Sequence, residues 1–266
     1  MSDGGADSSP GFDPGVPHVA RVYDYMLDGK NNFDADRELA KQLLAYAPES
    51  AWIARQNRAF LGRAVRYCAE RSMDQFLDLG SGLPTMDNVH EVARRVIPAA
   101  SVVYVDNDRG VLTHADALLA TSPGVAAIWG DVRDPRAILA RLQTDGLIDL
   151  TRPLVVLMVA VLHFIGDDDD PGGIVRVFRD AMPAGSYVVL SHATHDRRPQ
   201  ESERAESIYR RASSALVTRS HADVAAFLAG LELVDPGLVF TAQWRPQEPV
   251  EDPGLAGIYA GVAGKP

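Results

Sequence analysis

Residues 76–85 read FLDLGSGLPT, a short apolar strand that carries Asp78 and runs straight into a turn with glycines at 80 and 82. Glycine has no Cβ, so the backbone at Gly80 and Gly82 can turn sharply and let a ligand press against bare peptide groups, with Ser81 between them. Asp78 stands at the strand's end, where its carboxylate accepts hydrogen bonds from a turn or water network that a ligand's ammonium group completes. A second apolar stretch, VVYVDND at 102–108, also ends in an acid, Asp106, followed by Asn107. An acidic side chain in that position takes both hydroxyls of a ribose, as the fingerprint acid does in dinucleotide folds.

Two acidic strand ends beside one glycine turn point to S-adenosylmethionine. A strand, a glycine turn and a helix also occur in doubly wound folds that bind nothing there, so a glycine pattern alone is weak. A nicotinamide site is the nearer rival. It wants G-x-G-x-x-G, whereas the run from Gly80 through Ser81, Gly82, Leu83, Pro84 and Thr85 lacks the third glycine. The acid before the first glycine favours the methyl donor.

At 266 residues the chain suits one large domain or a domain with a helical appendage. A net charge of −10 disfavours a nucleic-acid backbone as the main partner, because phosphate binding rests on clustered Lys and Arg. Cys68 is the only cysteine, which excludes an internal disulfide framework and makes a reducing, cytoplasmic setting the expectation. Its spacing from Phe60, Leu61, Ala64 and Val65 puts it on the apolar face of a helix as an inert buried thiol. Apolar runs break well before the roughly 18 residues that a membrane span requires. The N-terminus has no basic region followed by an apolar core, so no secretion signal is expected. Nothing in the composition speaks to oligomeric state.

Residues 1–17 are rich in Gly, Ser, Pro and Asp and read as a disordered tail. Residues 18–73 carry helical periodicity and read as an N-terminal cap, with Asp34 as a helix start and Pro48 as a stop. From 74 to 266 the rhythm becomes strand, turn, helix. Strands are expected at 76–79, 102–105, 125–129, 154–162 and 186–191, and helices at 87–97, 110–120, 135–143 and 172–182. Such alternation is the signature of a parallel sheet covered on both faces. Asp134 before Pro135 and Asp170 before Pro171 are cap and first-turn pairs. The acids Asp167–Asp170 therefore read as a solvated helix start and not as a metal site, and no metal is expected. A polar helix over about 200–216, a capping box at Ser220 and Asp223, and a closing hairpin from 236–244 and 255–262 complete the chain.

With its alternating units and terminal hairpin, 74–266 resembles the class I methyltransferase fold, an α/β, Rossmann-like doubly wound sheet of seven strands with the last antiparallel. FLDLGSGLP matches that fold's donor loop, with Pro84 where many members have a third glycine, and VVYVDND matches its ribose-binding strand end. GDVRDP at 130–135 is similar to the adenine-side segment, which implies Asp131, with Val132 beside it, as acceptor of the exocyclic amine. Upstream, ARVYDYMLDGKNNF at 20–33, RQNRAFLGRAVRY at 55–67 and NVHEVAR at 88–94 closely resemble one bacterial family of S-adenosyl methyltransferases, long catalogued as a domain of unknown function (DUF574-like). The resemblance implies the fold, S-adenosylmethionine as donor and S-adenosylhomocysteine as product. It names no acceptor.

Methyl transfer is an in-line displacement, so the protein mainly holds donor and acceptor at near-attack distance. The segment VAVLHFIGDD at 159–168 lacks the Asn-Pro-Pro-aromatic or Asp-Pro-Pro-aromatic turn common in nucleobase amino methyltransferases. Its Leu162, His163 and Phe164 are similar to a turn found in enzymes that methylate small molecules at oxygen or carbon. His163 is the candidate base or a polar lining residue, His192 has a weaker version of the same claim, and His90 reads as helix surface. Tyr23, Tyr25, Met26, Lys30, Asn31, Asn32 and Phe33 mix aromatic faces and hydrogen-bond donors, which suits the wall of a small-ligand site. Against that stands a helix that merely docks on the domain. Gly29 is expected in a left-handed turn, and Arg58 pairs an acid across the cleft or lies on the surface. The expected function is a methyltransferase with a small-molecule acceptor. The alternative is a sensor or partner protein that binds the donor or its product without transferring the methyl group.

Overall fold

The computed structural model describes residues 13–83, 87–113 and 122–266. The expectations for Pro84, for residues 1–12 of the tail and for most of the 110–120 helix lie outside these. Three helices come first: α1 (Val19–Met26), α2 (Asp34–Tyr46) and α3 (Ser50–Ala69). Then β1 (Gln75–Leu79), α4 (Val89–Arg94), β2 (Ser101–Asp106), β3 (Val125–Trp129), β4 (Val155–Val159) and β5 (Tyr187–Ala193) follow. Helices Pro135–Thr144 and Pro171–Ala181 lie among these strands, and Pro199–Tyr209 and His221–Phe227 come after them. Short strands β6 (Glu232–Leu233) and β7 (Val239–Phe240) precede β8 (Ile258–Gly264).

The sheet has eight strands in the order β3-β2-β1-β4-β5-β8-β6, with β7 also paired to β8. Strands β1 to β5 pair parallel, and β8 runs antiparallel to β5, β6 and β7. This is the class I methyltransferase arrangement with the expected reversed strand. The eighth strand arises because the expected strand at 236–244 is formed only at Val239–Phe240, with the separate pair Glu232–Leu233 beside it. Other boundaries shift as well: the helix expected over about 200–216 ends at Tyr209, the strand expected at 255–262 begins at Ile258, and β4 ends at Val159 and not near 162. Ala160 there adopts φ 57°, a left-handed turn that takes the chain out of the sheet.

Alternation along each strand explains why both faces are covered. In β1, Phe76 faces a cluster with Phe60, Val65, Cys68 and Trp244, whereas Leu77 and Leu79 face one with Ile138, Leu142, Ile174 and Phe178. Helix α3 therefore serves as a sheet-covering helix. Helices α1 and α2 form a smaller cluster, Val22, Met26, Leu39 and Leu43 with Ala54 of α3, closed by Ile208 of Pro199–Tyr209. The end of the expected tail is held, since Arg21 Nη2 donates to Val16 O at 3.0 Å and Ser213 N donates to Pro17 O at 2.8 Å. Among the described residues, no helix is long and apolar enough to cross a membrane.

The helix-start readings are matched by the geometry. Asp134 accepts from Ala137 N at 3.1 Å, and Asp170 accepts from Gly173 N at 2.9 Å. Helix α2 begins one residue earlier than expected for an Asp34 cap: Phe33 is its N-cap, and Asp36 reaches back to accept from Phe33 N at 2.8 Å. Cys68 is buried and its thiol is pushed well above its ordinary pKa by that burial, as an inert core thiol should be.

Candidate functional site

The carboxyl ends of β1, β2 and β4 converge on one cavity of about 310 Å³. At the end of β1 the chain reverses through Gly80 and Gly82 at φ 68° and 64°, conformations that cost glycine little. Gly80 N and Ser81 N donate to Val105 O at 2.8 and 3.2 Å, and Gly82 N donates to Asp106 Oδ2 at 2.9 Å. A Cβ on Gly80 would lie 2.4 Å from Val161 Cγ2, so this turn presses directly against the chain leaving β4. The first turn of α1 covers the other side, with Ala20 Cβ 4.0 Å from where a Cβ on Gly82 would stand.

Asp78, Gly80, Ser81, Gly82, Asp106, Asn107, Asp131 and Val132 all line this cavity. Burial raises the Asp78 pKa to about 7, an effect that the Arg58 charge lessens and Asp106 adds to. Burial likewise raises Asp106 to about 6, although hydrogen bonds from Asp108 N and Gly82 N favour its charged form. Burial alone would raise Asp131 as well. There the hydrogen bonds and charge of Arg133 outweigh it and hold the carboxyl below its ordinary value, with Arg133 Nε at 2.9 Å from Oδ1. Two acids held reluctantly charged, beside one freely charged, suit a ligand that brings its own cation and hydroxyl donors.

The upstream string divides. Tyr23 and Met26 line the cavity and so does Arg58, whereas Tyr25, Lys30, Asn31, Asn32 and Phe33 do not. Asp24 accounts for several of these: its Oδ2 accepts from Asn31 N at 2.9 Å and from Asn32 Nδ2 at 2.8 Å, so the two asparagines close a turn. Lys30 and Phe33 are exposed. The left-handed residue is Asp28 at φ 61°, and Gly29 is needed for a different reason, since its Cβ would fall 2.1 Å from Asp24 Oδ1. Arg58 donates to Asp87 O at 3.2 Å as well as easing the charge on Asp78.

The histidines separate in the same way. His163 lines the cavity and is buried, with Ala193 N donating to its Nδ1 at 3.2 Å. Burial, with His192 and Arg219 nearby, holds its pKa well below the ordinary value. The ring is therefore neutral with its lone pair engaged, which leaves Nε2–H as a donor and argues against a general base. His192 is fully buried and is not part of the cavity wall. Its Nδ1 is 2.7 Å from Ala193 O and its Nε2 is 2.8 Å from Arg219 Nη1, so it props up the turn after β4. Burial lowers its pKa to about 4. His90 Nδ1 is 2.8 Å from Tyr104 OH, a helix-to-sheet contact outside the cavity.

Two networks escaped the sequence reading. Arg21, buried, joins α1 to the loop after β2: Nε donates to Asp36 Oδ2 at 2.9 Å and Nη1 to Asp108 Oδ2 at 3.1 Å. Asp108 N in turn donates to Asp106 Oδ1 at 2.9 Å. In the second, Ser191 Oγ donates to Asn57 Oδ1 at 2.7 Å, Asn57 Nδ2 donates to Tyr23 OH at 3.0 Å, and Tyr23 OH donates to Ala54 O at 3.0 Å. Ala160 N donates to Ser191 Oγ at 2.9 Å, which ties the strained turn after β4 into the same chain. The only sequence signal for these was polar residues on otherwise apolar faces. Among the described residues, no group of three or more His, Cys, Asp or Glu is arranged to hold a metal.

The family described as S-adenosyl methyltransferase matches residues 6–266. A DUF574 family protein from Streptomyces avermitilis MA-4680 is 38% identical, with 96% of this chain and 99% of that chain covered and a TM-score of 0.91. A protein from Thermobifida fusca YX is 41% identical, with 97% and 98% covered and a TM-score of 0.90. The N-methyltransferase NodS from Bradyrhizobium japonicum WM9 is 11% identical, with 82% of this chain and 99% of that chain covered and a TM-score of 0.50, a likeness of fold alone. No curated protein sequence matches.

Proposed function

The chain belongs to the S-adenosyl methyltransferase family, and from that premise we propose that it methylates a small molecule, at oxygen or carbon, inside the cavity at the end of β1, β2 and β4. The carrying observation is that this cavity does not stop at the glycine turn. It continues beside α1, α2 and α3, where Tyr23, Met26, Leu43, Ile53 and Phe164 form a largely apolar chamber. A largely apolar chamber of this kind suits a small molecule held beside the donor.

In this reading Asp78 accepts the donor's ammonium, Asp106 its ribose hydroxyls and Asp131 the adenine amine. The peptide groups of Gly80 to Gly82 lie against the amino-acid part of the donor. S-Adenosylmethionine supplies the electrophilic methyl group. The chain supplies position: the Asn57–Ser191–Ala160 chain fixes the turn after β4, and His163 Nε2–H is available to orient an acceptor oxygen and to favour its anionic form. The absence of an amide or carboxylate from the Leu162–Phe164 turn supports oxygen or carbon over an exocyclic amine.

The test is to incubate the purified protein with S-adenosylmethionine carrying a ¹³C methyl group and a cell extract separated into small molecules, protein and nucleic acid. The label should appear in a small molecule on oxygen or carbon. Label confined to protein or nucleic acid, or found on nitrogen, overturns the acceptor reading.

A further inference from the structure

We infer that the acceptor is a carboxylate-bearing molecule with an apolar body, and that Arg197 receives its carboxylate; the inference rests on the methyltransferase reading above. Beyond the glycine turn the chamber runs between the α2–α3 turn and the helix Pro199–Tyr209, where Leu43, Ile53, Ala205 and Leu216 line it. Arg197 and Arg198 both border this region, and their surroundings differ. Arg198 is ion-paired with Glu49, and with Glu201 at 3.0 Å. Among the described residues, Arg197 has neither a hydrogen bond nor an ion pair.

Arg197 is exposed, with its guanidinium beside Gly254. A Cβ on Gly254 would lie 3.1 Å from Arg197 Cζ and 3.3 Å from Nε, so the guanidinium rests against a glycine whose missing side chain makes the room. Gly254 belongs to the turn Pro253–Ala256, whose Leu255 also lines the chamber. Packing against a peptide leaves a guanidinium's N–H donors unused. The region thus offers a solvent-exposed cation at the edge of an apolar wall, with no hydrogen-bond partner among the described residues. A basic acceptor fits less well, because Glu49 and Glu201 are both matched by Arg198. A carboxylate takes up the Arg197 donors in a forked pair while its apolar body fills the chamber toward the sulfonium.

The test uses the full chain saturated with S-adenosylhomocysteine, titrated calorimetrically with 2-naphthoate and with its neutral counterpart 2-naphthamide. Naphthoate should bind roughly tenfold more tightly, the scale of one charge-assisted hydrogen bond. R197Q should remove that preference and R197K should restore part of it. Equal affinity for the two probes, no binding of naphthoate, or an R197Q protein that still discriminates overturns the inference. S-adenosylhomocysteine is titrated into the same preparations first. If it binds and the naphthoate preference is missing, only the acceptor inference fails, whereas if it does not bind, the methyltransferase reading of the cavity fails with it.

Discussion

Asp78 and Asp106 are carboxyls that burial pushes toward neutrality, to about 7 and about 6, and in the proposed function a cationic, hydroxyl-rich ligand needs them charged. The sign of the pH dependence follows. Each carboxyl binds its proton more tightly in the folded, empty protein than in the unfolded chain, so stability of the empty protein falls as pH rises from the ordinary carboxyl range, roughly 4, through these raised values. A donor ammonium favours the charged form, so binding below about pH 7 must expel a proton. Affinity for S-adenosylhomocysteine should therefore climb between roughly pH 5.5 and 7, with a proton released at pH 6 that appears as a buffer-dependent binding enthalpy. A flat profile over that window counts against Asp78 as the ammonium's partner. Asp106→Ala should weaken the same binding by about 1.5 to 3 kcal/mol, the worth of charge-assisted hydrogen bonds to the ribose, and unchanged calorimetric affinity would refute its role. Both acids were legible because the signal is local: an acid ending an apolar strand, next to a glycine turn. Arg21 was not, since its partner Asp108 lies 87 residues away and an arginine in a helix reads as surface until the fold closes over it.

Helix α1 shows how far composition misleads at the scale of an element. Lys30, Asn31, Asn32 and Phe33 look like a ligand wall because polar and aromatic groups are mixed, yet Asp24 draws both asparagines into a turn that leaves α1. What α1 brings to the cavity is its own first turn together with Tyr23 and Met26. Its attachment is the buried Arg21 between Asp36 and Asp108. Breaking such a pair strands two carboxylates in the interior and costs about 3 to 5 kcal/mol. Arg21→Met should accordingly lower the thermal midpoint, and it should also weaken S-adenosylhomocysteine binding, because Asp108 positions Asp106 through its N–H. Asn32→Ala should lower the midpoint with donor affinity retained. If both variants lose stability and neither loses affinity, the link from α1 to the ribose loop is structural only. Helix boundaries with cap chemistry, such as Asp134 and Asp170, were readable; the short strand β6 was not, and β7 was read only as part of a longer strand, since two-residue pairings on β8 carry no periodicity to read.

Packing splits the helical segment before residue 73, where helical periodicity gives way to strands. Helix α3 is built into the sheet face through Phe60, Ala64, Val65 and Cys68, all fully buried, so it should open only when the sheet does. Helices α1 and α2 instead rest on a small separate cluster, closed by Ile208 and by the Arg21 ion pairs. Fewer buried apolar contacts mean a lower free energy of local opening, and elements that admit ligands are drawn from that end of the scale. The helical wall of the chamber is thus two layers of unequal stability, a fixed α3 and a more readily opened α1–α2 pair with the first turn of α1 over Gly82. A donor held between Gly82 and α1 would add contacts that exist only when the pair is closed. Native-state hydrogen exchange should therefore show α1 and α2 amides opening at lower free energy than those of α3, β1 and β4 in the empty protein. Saturation with S-adenosylhomocysteine should raise α1 protection toward the α3 level and change β3 and the Pro135–Thr144 helix much less. Uniform protection across α1 to α3 without ligand would show a single cooperative wall, and ligand-independent α1 exchange would remove α1 from the donor's surroundings.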